Sequence, residues 1–576
     1  INENRVQRYL LEDGDLTLVD EKPEANMGTA STLADFLSWG VSNYPSERMG
    51  LILWDHGSGS INGVCFDEQY DYDSLTLGEL DHALNQVYDQ MTDRFEFIGF
   101  DACLMSTLET ANVLTPYARY MYASQEMEPG SGWDYTSLLN NLAANPDQDG
   151  AQLGEKVCRE YYDHCADYGF GSQRSATFSI IDLSKIDDVL ISMNEAFRVV
   201  YEQGDLGDVT RAVLEADSFG GNSVSEGYSN MLDLGNMLDQ LSGYGQEVRD
   251  ASQTLQSCIL YTMNGRLHKN ASGLSVYYPV SIQGSEELKI FSRICPSNYY
   301  YALIDKIAYG AENGSAADYD NSTLLSDMAD INEWLGEESG FTGDVSTNAG
   351  EFADIEIGQM GVSDIYFDED GIYTVSFDNM DELAYACCSV GMDDDADGFF
   401  YLGTTEEVIY DIDRNCVTDN FDGSWPCIND NLLALELVNT TDSCSIYTCN
   451  VLLNDEVETN LRIEYDWEYD EWSVIGIWDG IDEETGMASR EVYELQDGDV
   501  ITPAYYWFSV DDDEDWYYGD DIVVDGDLEI TYEYLPEGVY YYCFELHDIY
   551  GNVYYTPFTL QYVDEDGEVW VDGEFY

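Results

Sequence analysis

The chain has 576 residues, of which 115 are acidic and 21 are basic, giving a formal net charge of −94. The strongly negative electrostatic field of such a chain repels nucleic acid and anionic membrane surfaces, and it favours cationic peptides as partners. The 44% hydrophobic and 14% aromatic content argues against disorder, and the length predicts about three domains. There is no run of about 18 uncharged apolar residues, so no membrane insertion is expected.

Residues 1 to about 125 alternate apolar strands with helical segments. "NRVQRYLL" and "LTLVDE" flank the turn "EDGD" as a hairpin, and "STLADFLSWGVSNY" has helical spacing. The strand "GLILW" precedes the helix "TLGELDHALNQVYDQM", which opens with a capping box of Thr76 and Glu79. The strand "FEFIGF", the helix "LMSTLETANVL" and the strand "RYMYAS" follow. This order predicts an α/β fold with a mostly parallel sheet, helices on both faces and ligands at the carboxyl ends of the strands.

The rest of the chain predicts a change of architecture. Helical patterns cover residues 151–166, 183–204 and 228–263, followed by the strand-like "SGLSVYYPV" and a helix near residue 300. Residues 311–344 have the composition of a linker with a short helix. From residue 345, short aromatic and β-branched runs between turns predict all-β, sandwich-like structure. The predicted domains are 1–310, 345–455 and an immunoglobulin-like sandwich at 456–576.

A histidine and a cysteine follow two neighbouring strands of the predicted sheet. His56 comes directly after "LILWD", and Cys103 ends "FIGFDAC" 47 positions further on. That interval holds a loop, a helix and the next strand, so both side chains should lie at one sheet edge. A thiolate is a strong nucleophile near neutral pH, and an imidazole within reach acts as base and then protonates the leaving amine. The pair predicts a catalytic dyad that requires no metal.

The residues beside Cys103 and His56 suggest how the site is tuned. A helix starting just after Cys103 would lower the pKa of the thiol, whereas Asp101 would raise it. Residues two apart on a strand share a face, so Asp101 and Cys103 are expected in one pocket, where a carboxylate suits an Arg or Lys of a substrate. The alternative for Asp101 is a helix N-cap. Asp55 points away from His56 along the strand, which favours a structural role over orienting the histidine.

The segments "LILWDHGSG" and "IGFDACLMSTLETA" resemble the clostripain family of cysteine peptidases, whose fold is related to caspases, gingipains and legumain. The similarity extends through "SQEMEPGSGWDYTSLL" and "ASGLSVYYPV" and covers about residues 3–305. It implies a caspase-like domain, a His–Cys dyad, cleavage after basic residues and an oxyanion site of backbone N–H groups. By motif position the roles fall on the dyad His56 and Cys103, the oxyanion N–H groups of Gly57 and Cys103, the specificity acid Asp101, and the weaker pocket candidates Glu126 and Glu128.

The chain departs from the family pattern in two ways. Family members normally have a strand and a helix upstream of the first hairpin, so we expect the chain to lack that segment, through fragmentation or processing, and the segment to be a candidate non-covalent partner. Some relatives also cut themselves at a basic residue soon after the histidine. No Lys or Arg lies between His56 and Arg94, so self-processing in that loop is not expected.

Two groups of residues are candidates for metal binding. In "DDDADGFF", alternating carboxylates before a glycine match the first half of a calcium loop, but Thr404 stands where an EF-hand has its bidentate Glu. Structural calcium and a solvated hairpin tip both stay open for the residues Asp393, Asp395 and Asp397. In "CREYYDHC" the loose spacing of Cys158, His164 and Cys165 favours a partly buried helix over a zinc site.

Together these features predict a secreted or cell-surface bacterial cysteine endopeptidase that cleaves protein or peptide substrates after Arg or Lys. Its chemistry requires no cofactor, and calcium is a candidate structural ion. The first alternative is a catalytically inactive, acidic adhesion protein that keeps a peptidase-like domain. The second is a carboxylate-pair glycoside hydrolase, which the abundance of acids and aromatics suggests.

Overall fold

The computed structural model describes residues 5–576 except residues 13, 167–169, 204–205, 282–284, 313–359, 369–370, 395–397, 442, 483, 491, 510–513, 527, 549–552, 565–568 and 572. None of the helices within these described ranges combines the length and apolarity that crossing a membrane requires.

The N-terminal part of the chain is α/β. Its first elements are β1 (Arg5–Glu12), β2 (Asp15–Pro23), α1 (Ala30–Asn43), β3 (Gly50–Trp54), α2 (Gly59–Asn62), β4 (Val64–Asp67), β5 (Asp73–Leu75), α3 (Leu77–Tyr88), β6 (Phe95–Asp101), α4 (Leu108–Leu114) and β7 (Ala118–Ala123). The predicted hairpin is β1–β2, and the predicted capping box at the start of α3 is present, with Thr76 and Glu79 bonded reciprocally. Local pattern therefore predicted most of these elements correctly; it missed α2, β4 and β5 and started α4 too early.

The second half of the α/β part has longer helices and very short strands. It contains α5 (Tyr135–Ala144), α6 (Gly150–Cys165), α7 (Phe170–Ser175), β8 (Thr177–Asp182), α8 (Ile186–Gln203), α9 (Leu206–Leu214), β9 (Ser218–Phe219), β10 (Asn222–Ser223), β11 (Gly227–Tyr228), β12 (Met231–Asp233), α10 (Leu234–Gln240), α11 (Gln246–Cys258), β13 (Ile259–Asn264), β14 (Ser275–Tyr277), α12 (Ser285–Ile294) and α13 (Asn298–Glu312). The helix predicted over 228–263 is wrong at both ends, where β12 and β13 lie. Short apolar runs do not distinguish helix from buried strand, and long-range pairing decides between them.

Five strands of the described residues form the central sheet, in the order β13-β8-β7-β6-β3. β3, β6 and β7 are parallel, as predicted, whereas β8 pairs antiparallel with both of its neighbours, β7 and β13. Helices pack on both faces: Ile180 of β8 lies in the core formed with α5 and α6, and its neighbour Ile181 lies in the larger core on the other side. The alternation of side chains along a strand explains this division.

The C-terminal part is all-β. Its strands are β15 (Val362–Phe367), β16 (Tyr373–Phe377), β17 (Leu383–Asp393), β18 (Gly398–Thr405), β19 (Val408–Asp411), β20 (Cys416–Asp419), β21 (Ser424–Ile428), β22 (Asn431–Leu432), β23 (Glu436–Thr440), β24 (Cys444–Leu453), β25 (Val457–Asp466), β26 (Glu471–Trp478), β27 (Val492–Tyr493), β28 (Val500–Ser509), β29 (Glu514–Tyr518), β30 (Ile522–Val523), β31 (Ile530–Tyr534), β32 (Gly538–Asp548), β33 (Val553–Tyr555), β34 (Thr559–Val563) and β35 (Val569–Val571). The sandwich arrangement stays a prediction.

The domain boundary predicted at residue 455 requires correction. It falls in the turn between β24 and β25, which pair antiparallel from Cys444↔Asp466 to Leu453↔Val457. Strands from both sides of residue 455 also join one 14-stranded sheet among the described residues. A turn inside a hairpin has the same composition as a turn between domains, so sequence alone misplaced the cut. The predicted linker at 311–344 lies outside the described residues from 313 onward.

Candidate active site

The structure brings His56 and Cys103 to one edge of the central sheet. β3 and β6 are parallel neighbours in which Trp54 pairs with Asp101, so His56 and Cys103 each lie two residues beyond that pair. The two backbones are in close contact, because a Cβ built on Gly57 would lie 2.4 Å from the carbonyl oxygen of Cys103. Glycine is therefore required at position 57 for this approach.

The thiol of Cys103 is buried and protonated in this conformation. The sulfur accepts the backbone N–H of Glu128 at 3.3 Å, and burial raises the pKa of Cys103 to about 12. α4 begins only at Leu108, where the Thr107 hydroxyl caps the N–H of Thr110. The expectation that a helix N-terminus lowers the pKa of the thiol is wrong, because three loop residues separate Cys103 from the N-cap.

The imidazole of His56 is half-buried and is oriented by the C-terminal part of the chain. Its Nδ1 lies 3.0 Å from the carbonyl oxygen of Ala488. A carbonyl only accepts, so Nδ1 carries the hydrogen, and Nε2 of the neutral ring keeps the lone pair that a general base needs. The carboxylate of Asp55 accepts the backbone N–H of His56 at 2.8 Å, which gives Asp55 a structural role.

A buried pocket for a cation surrounds Asp101. Its Oδ2 accepts the backbone N–H of Trp133 at 3.1 Å and the hydroxyl of Tyr135 at 2.8 Å, and its Oδ1 accepts a guanidinium N–H of Arg490 at 2.7 Å. A second N–H of Arg490 donates to the carbonyl oxygen of Asp55 at 3.1 Å. Asp101 therefore binds an arginine side chain at the edge of the sheet that carries Cys103, and it does not cap a helix.

Glu128 lies in the same pocket wall. Its Oε2 accepts the indole N–H of Trp133 at 3.0 Å, and burial together with the nearby charge of Asp101 raises the pKa of Glu128 well above its usual range. Burial and a neighbouring carboxylate both disfavour the charged form of a carboxyl. Glu128 thus supplies a polar surface beside Asp101 in surroundings that oppose a second negative charge.

Glu126 belongs to a separate network beside the pocket. It accepts the backbone N–H of Gly220 at 3.1 Å and lies 3.1 Å from Nε2 of His268, whose Nδ1 lies 3.0 Å from Asp217. The two carboxylates raise the pKa of His268 well above its usual value despite its burial. The charged network holds the loop around residue 220, so the geometry gives Glu126 a structural position.

Sequence reasoning missed Trp133, Tyr135, Ala488 and Arg490. The first two lie in "SGWDY", where the connection after β7 reaches the start of α5, a position that the parallel-sheet rule brings to the site. One feature of the sequence could have pointed to Arg490. Residues 313–576 contain only three Lys or Arg residues, namely Arg414, Arg462 and Arg490. In so acidic a region each basic side chain is a candidate for a specific ion pair.

The described residues test the metal candidates only in part. Asp393 is the last residue of β17, whereas Asp395 and Asp397 lie outside the described residues, so calcium there stays a prediction. One cluster was not expected from the sequence: ligand atoms of Cys387, Glu545 and His547 lie within 4.8 Å of one another.

The fold and the site together define a class, namely an α/β protein with a cysteine and a histidine at the ends of adjacent parallel strands, next to a buried carboxylate. A model of the Clostripain family matches residues 2–313, more than half of the chain. The chain therefore belongs to the clostripain family.

Individual relatives are more distant. Clostripain from Hathewaya histolytica is 29% identical over 158 residues, which is 23% of this chain and 29% of that protein, so the match spans less than a third of the relative. A secreted cysteine protease from Bacteroides thetaiotaomicron, solved with an irreversible peptide inhibitor, is 17% identical, with a TM-score of 0.40 over 53% of this chain and 86% of its own. An inactive zymogen protease from Parabacteroides distasonis is 16% identical, with a TM-score of 0.38 over 52% of this chain and 83% of its own.

Proposed function

We propose that the protein is a secreted cysteine endopeptidase that hydrolyses peptide bonds after arginine and lysine. The observation that carries this proposal is the guanidinium of Arg490 on the buried carboxylate of Asp101, at the strand end that also positions Cys103. A substrate arginine meets the same acceptors. Membership of the clostripain family supports cysteine peptidase chemistry.

In this mechanism His56 Nε2 takes the proton of Cys103, and the thiolate attacks the scissile carbonyl carbon. Backbone N–H groups, with Gly57 and Cys103 as the candidates, stabilise the oxyanion that forms. The imidazolium of His56 then protonates the leaving amine, and the C–N bond breaks to leave a thioester. Water, deprotonated by His56, hydrolyses the thioester and restores the thiol.

The pocket around Asp101 supports the proposed preference for a basic side chain. The carboxylate is fully buried, so a neutral residue bound there would leave its charge without a partner. Arginine pairs with Asp101 and reaches the carbonyl oxygen of Asp55, as Arg490 does, whereas the single ammonium of lysine makes fewer bonds. Arginine is therefore the preferred residue and lysine the second.

Action outside the cell forms part of the proposal. The net charge of −94 keeps the chain soluble and attracts cationic peptide segments. A relative from Bacteroides thetaiotaomicron is described as secreted, which supports the same location here.

The test is a fluorogenic peptide panel that varies the residue before the cut, assayed with the full chain and with its Cys103→Ala and His56→Ala variants. We expect cleavage after Arg and Lys by the parent and none by the variants. Equal cleavage by the parent and Cys103→Ala would remove the proposal. Loss of all peptide cleavage in every form, including an Arg490→Ala form, would favour an inactive adhesion protein.

A further inference from the structure

The segment that carries Arg490 is a hairpin of the all-β part that enters the α/β part. β26 and β27 pair at its base, and an isolated bridge joins Ile481 and Ala488 nearer its tip. Trp478, Ile481 and Ala488 are buried in the core of the α/β part. We call the described residues among 478–493, which leave out residues 483 and 491, the plug hairpin.

Two hydrogen bonds seat the plug hairpin on loops beside the sheet edge. The backbone N–H of Ile481 donates to the carbonyl oxygen of Glu226 at 2.7 Å, and Asn62 donates to the carbonyl oxygen of Gly486 at 3.3 Å. Asn62 ends α2, the short helix that follows His56. The hairpin therefore rests directly over the edge that carries the dyad.

The plug hairpin engages two parts of the site at once. The Arg490 side chain is 7% exposed and fills the Asp101 pocket, and the carbonyl oxygen of Ala488 accepts a hydrogen bond from Nδ1 of His56. Cys103 is fully buried, and the charge of Arg490 is near enough to act on its thiol. A substrate arginine needs the acceptors that Arg490 already occupies. The two side chains cannot bind Asp101 together.

We propose that the plug hairpin is a built-in competitive inhibitor, in which Arg490 occupies the arginine pocket and holds the enzyme in a closed form until the hairpin leaves. The proposal rests on the proposed function, because it assigns the same pocket to substrate. A tethered ligand has an effective concentration on the order of millimolar, so peptides at lower concentration are excluded. Arg490 is thus a regulatory residue.

The all-β part is held in place without Arg490. Arg462 pairs with Glu226 at 2.6 Å, donates to the carbonyl oxygen of Gly220 at 2.8 Å and lies 4.1 Å from the ring centroid of Trp478. At a separate point Arg266 binds Glu464 at 3.0 Å. Replacing Arg490 should therefore empty the pocket while the two parts of the chain stay docked.

The test compares the full chain with Arg490→Ala, Arg490→Lys and the control Arg414→Ala. Arg414 is the matched control because it is 59% exposed and, among the described residues, pairs with its near neighbour Asp411 in the same acidic region. Two quantities are measured: kcat/KM on an arginine peptide, and the rate at which iodoacetamide labels Cys103, followed by mass mapping of its peptide. Circular dichroism and thermal unfolding identify any variant that has not folded.

We expect Arg490→Ala to raise kcat/KM about tenfold or more, mainly through a lower KM, and to label Cys103 faster by a similar factor. Arg490→Lys should stay close to the parent, because a lysine still pairs with Asp101, and Arg414→Ala should match the parent. If folded Arg490→Ala has an unchanged or lower kcat/KM and Cys103 is labelled at an unchanged rate, the proposal that the plug hairpin inhibits the enzyme is wrong.

The labelling rate separates this proposal from the proposed function. If Cys103 is labelled faster in Arg490→Ala but no peptide is cleaved, the result supports the proposal that the plug hairpin covers the site and contradicts the proposed peptidase function. If the parent is fully active and Arg490→Ala has the same kcat/KM, the result supports the proposed peptidase function and contradicts inhibition by the plug hairpin. If Arg490→Ala does not fold, the same comparison is made with Arg490→Gln, which keeps a polar side chain and removes the charge.

Discussion

Arg490 and Asp101 are 389 residues apart in the chain and form a buried ion pair, with 2.7 Å between a guanidinium nitrogen and Oδ1. The pair joins the all-β part to the strand end that precedes Cys103. In the two proposals made above, this pair links substrate recognition, accessibility of the thiol and stability of the closed form.

Loss of either dyad residue should abolish peptide cleavage. In an Arg490→Ala background, in which the pocket is open, Cys103→Ala removes the nucleophile, and His56→Ala removes the base and should lower kcat about 10²–10⁴-fold. Steady-state kinetics on an arginine peptide measures both effects. A His56→Ala variant with unaltered kcat would show that another group accepts the proton of the thiol.

Asp101→Asn should weaken selection for basic residues. Removing one partner of a buried, hydrogen-bonded charge pair corresponds to about 10²-fold in kcat/KM for an arginine peptide. Cleavage of a peptide with methionine at that position should not fall, because its side chain makes no ion pair. The measurement is the ratio of the two kcat/KM values in the Arg490→Ala background, and an unchanged ratio argues that another acid selects arginine.

The Arg490–Asp101 pair should also contribute to the free energy of unfolding. Asp101→Asn alone leaves the Arg490 charge buried without its partner and should lower the free energy of unfolding by about 3–5 kcal/mol. The double variant Asp101→Asn with Arg490→Gln removes both charges and should recover much of that loss. Urea unfolding followed by tryptophan fluorescence measures the cycle. Additive single effects would mean that the two side chains are not coupled.

Gly57→Ala should impair the reaction while the chain still folds. The new Cβ would lie 2.4 Å from the carbonyl oxygen of Cys103, so one of the two backbones must move. A displacement of about 1 Å between reacting groups costs about 10²-fold in rate. Kinetics of Gly57→Ala in the Arg490→Ala background, with Gly40→Ala in α1 as a control in open space, tests this close approach. If Gly57→Ala keeps full activity, the catalytic residues are not the pair at this close approach of the two backbones.

Alkylation of Cys103 should depend strongly on pH in the closed form. Burial raises the pKa of Cys103 to about 12, so below that pH the thiolate fraction, and with it the labelling rate, should rise tenfold per pH unit from pH 7 to 10. The charge of Arg490 lowers the pKa of Cys103, so Arg490→Ala should gain labelling rate through easier access of the reagent and should keep the same rise with pH. Iodoacetamide labelling of the Cys103 peptide measures both profiles. A plateau near neutral pH in the parent would contradict a buried thiol.

Much of the α/β part was predictable because its signals are local. The capping box of Thr76 and Glu79, the apolar run before His56 and the run before Cys103 each lie within a few residues, and all three specified the correct element. The parallel order of β3 and β6 then follows from general rules of connection, which bring His56 and Cys103 to one edge. The family resemblance rested on the same two motifs.

The late start of α4 and the division of the all-β region were not predictable in this way. The sequence pattern predicts a helix from Leu104. Leu104 instead has a φ of +64°, and the helix begins after the N-cap Thr107. The cut at residue 455 failed because the turn of a hairpin and the end of a domain have similar composition. Both outcomes depend on pairing with distant strands and loops.

By itself the sequence determined which residues can do the chemistry, because a nucleophile, a base and a carboxylate are set by residue type and by short-range spacing on two strands. Only the tertiary structure decided what occupies the pocket of Asp101. Arg490 has no neighbouring motif that marks it, and its partner is specified by the docking of the all-β part through contacts such as Arg462 with Glu226. Buried ion pairs between distant segments depend on three-dimensional position, which local pattern does not encode.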